Sequence, residues 1–185
     1  MPEFSEIFSE WWTAFLAYFV GATPFGFLAG KLKGIDIREH GSGNIGATNV
    51  LRTLGKPVGI AVLVLDIFKG MIPVIIAKIV SESSAVHIAT AIAAILGHNY
   101  TFWLKFKGGK GIATTAGAVI PILTIPILAA IATWLLTLKL SRYVSVASIA
   151  AALAIPITLM IQNLISGEWD WVVFGLALFV CLLAI

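Results

Sequence analysis

The sequence predicts an all-α, polytopic membrane helix bundle: seven transmembrane helices in a single integral membrane domain over residues 1–185. Three observations carry this. Hydrophobic residues make up 59% of the chain and charged residues only 11%, against roughly 45–50% and about 25% in ordinary soluble domains. The mean hydropathy is +1.02, too high for a chain of 185 residues to hide its apolar surface in one water-soluble core. The apolar residues also come in runs near the ~20 that a spanning helix needs. A disordered segment and a disulfide scaffold are excluded on the same grounds. The one cysteine, Cys181, lies in an apolar run, so neither an internal disulfide nor a thiolate metal cluster is expected.

The first run extends from about Phe8 to Gly30. Acids (Glu3, Glu6, Glu10) rather than Lys or Arg precede it, which argues against a cleavable signal peptide. The second runs from Pro57 to Val80 and the third from Ala85 to Leu104. A fourth opens near Gly111 and must turn by the Pro121–Pro126 region, and the fifth continues to about Leu138. The sixth covers Val144 to Ile165 and the seventh starts at Trp171. The fourth and fifth are short enough to be one proline-kinked helix, giving six spans as the alternative.

Charge sets the orientation. With the N-terminus outside, the inner loops hold Lys31, Lys33, Arg38, Arg52, Lys56, Lys105, Lys107, Lys110, Lys139 and Arg142, ten of the twelve basic residues. Glu3, Glu6, Glu10, Glu82, Glu168 and Asp170 fall outside. The positive-inside rule therefore places the C-terminus in the cytoplasm, and it accounts for the pI of about 9.1 without nucleic acid as a partner. The longest connection, Lys31–Lys56, and the polar stretch Lys105–Gly111 are both cytoplasmic, so function is expected at that face.

Four constellations carry chemistry. Gly41-Ser42-Gly43-Asn44-Ile45-Gly46-Ala47-Thr48-Asn49-Val50-Leu51-Arg52 combines backbone freedom with neutral donors from Ser42, Asn44, Thr48 and Asn49. Arg52 adds a planar fork suited to phosphate. The spacing from Ile45 to Arg52 suits a helix whose N-terminus faces the glycine turn, an anion-binding arrangement. The bland alternative is a polar interfacial loop before a capped helix. Phe106-Lys107-Gly108-Gly109-Lys110-Gly111-Ile112-Ala113-Thr114-Thr115 describes a second phosphate cradle. It is not a Walker A loop, since Gly111 stands after Lys110 where that motif has Ser or Thr. Here the alternative is a basic glycine loop that only punctuates two helices.

Asp66 and Lys69 lie three apart on one helical face inside the second run. Ionised groups there are costly and are paired or functional. Either they form a structural pair, or Lys69 reaches the phosphate pocket with Asp66 holding it. Gly97-His98-Asn99-Tyr100 ends the third run beside the second cradle. His98 is a candidate general base or phosphate donor, or an interfacial histidine with its own partners. His40 is similarly placed beside the first motif, and His87 faces the other side. No spacing indicates a hydrolase triad or a metal site.

Gly-Ser-Gly-Asn-Ile-Gly-Ala-Thr-Asn with Arg52 behind it, Asp66-Ile-Phe-Lys69-Gly70, and Gly97-His98-Asn99 leading into Phe106-Lys-Gly-Gly-Lys-Gly resemble the bacterial acyl-phosphate:glycerol-3-phosphate acyltransferases. The motifs run in order from Gly41 to Thr115; residues 116–185 resemble the family only as hydrophobic spans. Members of the family continue into a short basic tail carrying His, Asn and Glu. The sequence ends at Ile185, so no residue here carries that part. The resemblance implies transfer of a fatty acyl group from acyl phosphate to the sn-1 hydroxyl of glycerol 3-phosphate, giving lysophosphatidic acid and phosphate without a cofactor. It also implies that Ser42 and Arg52 match residues needed for activity, and that Gly108, Gly109 and Gly111 match the acyl-phosphate loop.

The residue chemistry agrees, because two phosphate-bearing substrates require two anion cradles. The expected catalytic set is Ser42, Arg52, His98 and Lys110. Glycerol 3-phosphate is expected on Ser42, Asn44, Asn49, Arg52 and Lys69, and acyl phosphate on Gly108, Gly109, Lys110, Gly111 and Thr114, with no metal. Amides of the Gly108–Gly111 loop and Ser42 would stabilise the oxyanion and departing phosphate. The protein is expected to be a monomer in the bacterial inner membrane, with its partners limited to the two substrates and the lipid bilayer. The rival is a small carrier or channel for a phosphorylated metabolite, for which intramembrane Asp66 and Lys69 are the supporting features.

Overall fold

The computed structural model describes residues 10–184. All regular structure among them is helical: α1 Trp12–Gly21, α2 Phe25–Leu32, α3 Ala47–Leu54, α4 Lys56–Val80, α5 Ser84–Asn99, α6 Ile112–Val119, α7 Thr124–Ser141, α8 Val144–Ser166 and α9 Trp171–Ala184. Single 3-10 turns lie at Ile37–Glu39 and Phe102–Leu104. The chain divides into two compact units, one ending at Pro121 and the other beginning at Ile122. Among the described residues, four helical stretches are long and apolar enough to cross a membrane: Trp12–Leu32, Lys56–Val80, Thr124–Ser141 and Ser145–Ser166.

The first span is broken in the middle, which the hydrophobic run does not reveal. Pro24 has no N–H and its ring excludes the carbonyl of the preceding turn, so the helix stops at Gly21 and restarts at Phe25. Carbonyls at the break need other donors inside a membrane. Thr101 Oγ1 donates to Ala22 O at 2.5 Å, and Lys69 Nζ donates to Thr23 O at 2.7 Å. The break therefore anchors two later segments of the chain.

The 25 residues of α4 rise ~37 Å at ~1.5 Å per residue, enough for a ~30 Å hydrocarbon core. Pro57 occupies its first turn, where a missing N–H costs nothing. Phe68, Ile72, Ile75 and Ile79 are exposed, while Val62, Asp66, Lys69, Val74 and Ala77 are buried. α5 is shorter, at 16 residues. α6 has only eight, a rise of ~12 Å, so the fourth run does not cross on its own. Gly111, with φ +75°, ends the loop before α6, and the chain turns at Ile120–Leu123 after it.

Small residues set how closely these helices approach. A Cβ on Gly97 would run into the backbone of Tyr18 on α1, and one on Gly21 into that of Ala94 on α5. Likewise Gly70 of α4 lies against Thr114 and Gly117 of α6 against Ile67, each at the other's backbone. Such contacts drive helix association in lipid, where apolar burial offers little. Gly117→Leu is expected to lower the thermal midpoint of the detergent-purified protein. Overpacking costs about 1–3 kcal/mol, so the shift should be several degrees in a fluorescence melting curve.

In the second unit α7 packs on α8 and α8 on α9. Ala147, Ala152, Ile155 and Leu159 of α8 are buried, with Ala177 and Cys181 of α9.

Candidate active site

The first motif folds as a loop leading into α3, and a small apolar core holds it. Ile37, Ile45 and Val50 are buried against Val62 of α4 and against Leu104. Asp36 caps the 3-10 turn by accepting the Arg38 N–H at 3.1 Å. The Arg38 guanidinium grips the same carboxylate through Nε at 2.9 Å and Nη2 at 2.6 Å and lies over the Phe27 ring, 4.8 Å from its centroid. The side-chain hydrogen bond from Arg38 holds the Asp36 carboxyl well below the usual carboxylate range, with Lys31 adding to the effect. His40 binds Asp36 O through Nδ1 at 2.9 Å.

Asn49 organises the rest. Its Oδ1 accepts the Ser42 N–H at 2.9 Å. Its Nδ2 reaches three carbonyls, Ile37 O at 3.2 Å, His40 O at 3.0 Å and Asn44 O at 2.8 Å. Gly41 and Gly43 have φ of +59° and +71°, and a Cβ on Gly41 would strike the Asn49 carboxamide. One buried side chain thus ties the loop to α3. Asn44 Oδ1 accepts the Gly46 N–H at 2.8 Å, which turns the chain into the first helical residue.

This loop, the glycine–lysine loop and the facing sides of α4, α5 and α6 enclose a cavity of about 480 Å³, a size usual for small-molecule sites. Ser42, Asn44, Thr48, Asn49 and Arg52 form one wall and Lys110 and Gly111 another. Ile112 and Ala113, in the first turn of α6, also line it. Their N–H groups belong to the set that a helix leaves without internal acceptors, so that turn favours an anion. Asp66 and His98 complete the lining.

The structure therefore brings together seven of the residues singled out in sequence, namely Ser42, Asn44, Asn49, Arg52, His98, Lys110 and Gly111, at one cavity. It revises the work of several. The Gly108 N–H donates to Asn99 O at 3.0 Å and the Gly109 N–H to His98 O at 3.1 Å. These amides are spent on pinning the loop to the end of α5, and neither residue is part of the lining. Gly109 is small for a spatial reason, since a Cβ there would meet the His98 ring. Thr114 is fully buried and shares a 3.2 Å hydrogen bond with His98 Nδ1. Asn49 touches the cavity with a carboxamide already occupied by backbone groups, which makes it a positioning residue.

The intramembrane pair is reversed from the functional reading of the sequence. Lys69 does not reach the cavity; it pairs with Asp66 Oδ1 at 2.9 Å, donates to Thr23 O and sits 5.5 Å from the Phe25 ring centroid. Asp66 is the member that lines the cavity, and its Oδ1 lies 3.8 Å from His98 Nδ1. Asp66 and Thr48 are the lining residues with polar side chains that were not assigned a ligand from the sequence. Thr48 stood in the motif, but nothing local told which of its polar side chains would face inward.

Fold and site together define a helical protein with membrane-length apolar helices and a cavity lined by Arg52, Lys110 and several hydroxyl and amide side chains. Among known proteins, the family model described as glycerol-3-phosphate acyltransferase matches residues 11–185. The chain belongs to the glycerol-3-phosphate acyltransferase family. It is 49% identical over 148 residues to the glycerol-3-phosphate acyltransferase of Desulforamulus reducens, covering 80% of this chain and 74% of that one. With the Geotalea daltonii enzyme of the same name it shares 54% identity over 140 residues, covering 76% and 72%. Its fold matches the crystal structure of PlsY (YgiH), an integral membrane glycerol 3-phosphate acyltransferase, in the glycerol 3-phosphate form. The TM-score is 0.72 at 38% identity, over 95% of this chain and 86% of that one. The lysophosphatidic acid form of PlsY gives a TM-score of 0.71 at 37% identity, with the same coverage.

Proposed function

We propose that the protein transfers a fatty acyl group from acyl phosphate to the sn-1 hydroxyl of glycerol 3-phosphate, releasing lysophosphatidic acid and inorganic phosphate. The observation that carries this reading is the convergence onto one cavity of Arg52, on the helix that follows one glycine-rich loop, and Lys110, within a second such loop. Both substrates bring a phosphate, and each cation has a polar wall beside it. Acyl phosphate is an activated mixed anhydride. The hydroxyl oxygen attacks the acyl carbon, the bond from that carbon to the phosphate oxygen breaks, and the electron pair leaves with phosphate. Holding both reactants in line converts a bimolecular step into an effectively unimolecular one, an advantage of about 7–11 kcal/mol when orientation is good.

Arg52, Ser42 and Asn44 hold the glycerol 3-phosphate side in this reading, with Asn49 fixing the loop. Lys110, Gly111 and the first turn of α6 hold the donor phosphate and stabilise charge as it develops. Gly108, Gly109 and Thr114 shape that cradle from behind. The hydroxyl proton goes either to His98 or to a substrate phosphate, whose second pKa is near 6. His98→Gln separates these. With Nδ1 engaged by Thr114 and the ring buried among protein groups, we expect loss of no more than about tenfold in kcat. An essential general base contributes about 10²–10⁴-fold, so a loss in that range assigns the proton to His98.

The remaining features follow the charge pattern: seven apolar segments in one integral membrane domain, N-terminus outside, C-terminus inside, and a monomer in the bacterial inner membrane with the cavity open to the cytoplasm. Cysteine labelling from each side of sealed vesicles, at Lys33 and at Glu168, tests the orientation. Acyl transfer in detergent separates an enzyme from a carrier, because transport needs a sealed compartment and acyl transfer does not.

A further inference from the structure

We propose that Asp66 recognises the glycerol hydroxyls of the acyl acceptor, and thereby keeps the acceptor's end of the cavity distinct from the places that hold phosphate. This rests on the acyltransfer reading above and adds a residue to it. Asp66 is the one carboxylate in the cavity lining. It is 2% exposed and is fixed by Lys69, 2.9 Å from Oδ1. Lys69 is in turn held by Thr23 O at the break of the first span. The counter-charge thus lies on a residue outside the lining while Asp66 belongs to it. An anion in a cavity built for phosphates repels them from its own neighbourhood, so phosphate settles toward Arg52 and Lys110. A hydroxyl, in contrast, needs an acceptor.

Few strong acceptors are available in the wall. Asn49 Oδ1 is taken by the Ser42 N–H and Asn44 Oδ1 by the Gly46 N–H. The hydroxyls of Ser42 and Thr48 are neutral, and a carboxylate is the stronger partner. A site whose buried acceptor expects a hydroxyl discriminates against molecules that lack one, because the acceptor is then left unpaired. The head of an acyl phosphate has no hydroxyl to donate at Asp66. Glycerol 3-phosphate has two. The residue would therefore give both selectivity for the acceptor and a separation of the two phosphate-bearing substrates.

The test compares glycerol 3-phosphate with propyl phosphate, a three-carbon phosphate monoester without hydroxyls. In the parent, propyl phosphate should compete about 10- to 100-fold more weakly, the range for a lost hydrogen bond to a charged group. In the Asp66→Asn/Lys69→Gln double variant, which removes both buried charges together, that gap should shrink to a few-fold. KM for glycerol 3-phosphate should rise at least about tenfold while KM for palmitoyl phosphate stays within about twofold. Asp66→Glu keeps the charge and shifts the carboxylate by one methylene; it should raise KM for glycerol 3-phosphate selectively, and it serves if the double variant does not fold. Equal competition by both monoesters in the parent overturns the proposal. So does an unchanged gap in the variants, or a parallel rise of both KM values. If the parent makes no lysophosphatidic acid, the acyltransfer reading fails separately, and calorimetric binding of the two monoesters then decides hydroxyl recognition by the same ratio.

Discussion

Replacing Arg52 by Ala is expected to lower kcat/KM for acyl transfer by about 100- to 1,000-fold, the usual cost of deleting a charge-stabilising donor from an active site, with little change in stability. Arg52 lies in the last turn of α3, a helix held in place by buried Val50 and by the Asn49 carboxamide. Among the described residues no carboxylate pairs with the guanidinium, and Arg52 is one of the residues that line the cavity. Removal takes away a planar phosphate fork and no packing. Substitutions of that kind move stability by no more than about 0.5 kcal/mol. Arg52→Lys keeps the charge and loses the fork, and should recover part of the rate. The check is a radiolabelled glycerol 3-phosphate assay on parent and variants beside a melting curve for each. Equal losses of stability and activity would move Arg52 from the site to the scaffold.

The largest stability effect is expected for Lys69→Met. The side chains of Lys69 and Asp66 are 3% and 2% exposed within α4. Breaking such a pair leaves an uncompensated buried charge, at a cost of about 3–5 kcal/mol. The variant also deprives Thr23 O of its donor at the helix break, where the bilayer offers no water to replace it. It should accumulate poorly in membranes and melt well below the parent in detergent. Adding Asp66→Asn removes the orphaned charge and should restore much of the stability while leaving activity low. A Lys69→Met protein as stable as the parent would show that Asp66 is already satisfied without its partner.

Local residue chemistry was legible and helix rotation was not. Each motif carries its own reading: three glycines with Ser42, Asn44 and Arg52 led to the expectation of an anion cradle, as did the glycines around Lys110. That both face one cavity follows from the break at Pro24 and from the Gly70 and Gly117 contacts, which join segments far apart in sequence. The i, i+3 spacing of Asp66 and Lys69 showed that they share a face. Which one meets the cavity depends on how α4 is turned against α2 and α5, and that turn puts Asp66 rather than Lys69 in the lining. Asn49 and the Gly108–Gly109 amides were read as ligands because their donors are visible in sequence, whereas the carbonyls that consume those donors are not. The turn that ends α6 was legible from the Pro121–Pro126 region, whereas the eight-residue length of the helix was not, because apolar composition continues through Ile120–Leu123.

The most direct test is acyl transfer by the purified protein in detergent, with palmitoyl phosphate and radiolabelled glycerol 3-phosphate and no thioester donor, beside Ser42→Ala and Arg52→Ala. Lysophosphatidic acid from the parent, with both variants severely impaired yet folded, is the result predicted. Product formed only from a thioester donor, or none at all from a folded parent, would contradict the proposed reaction.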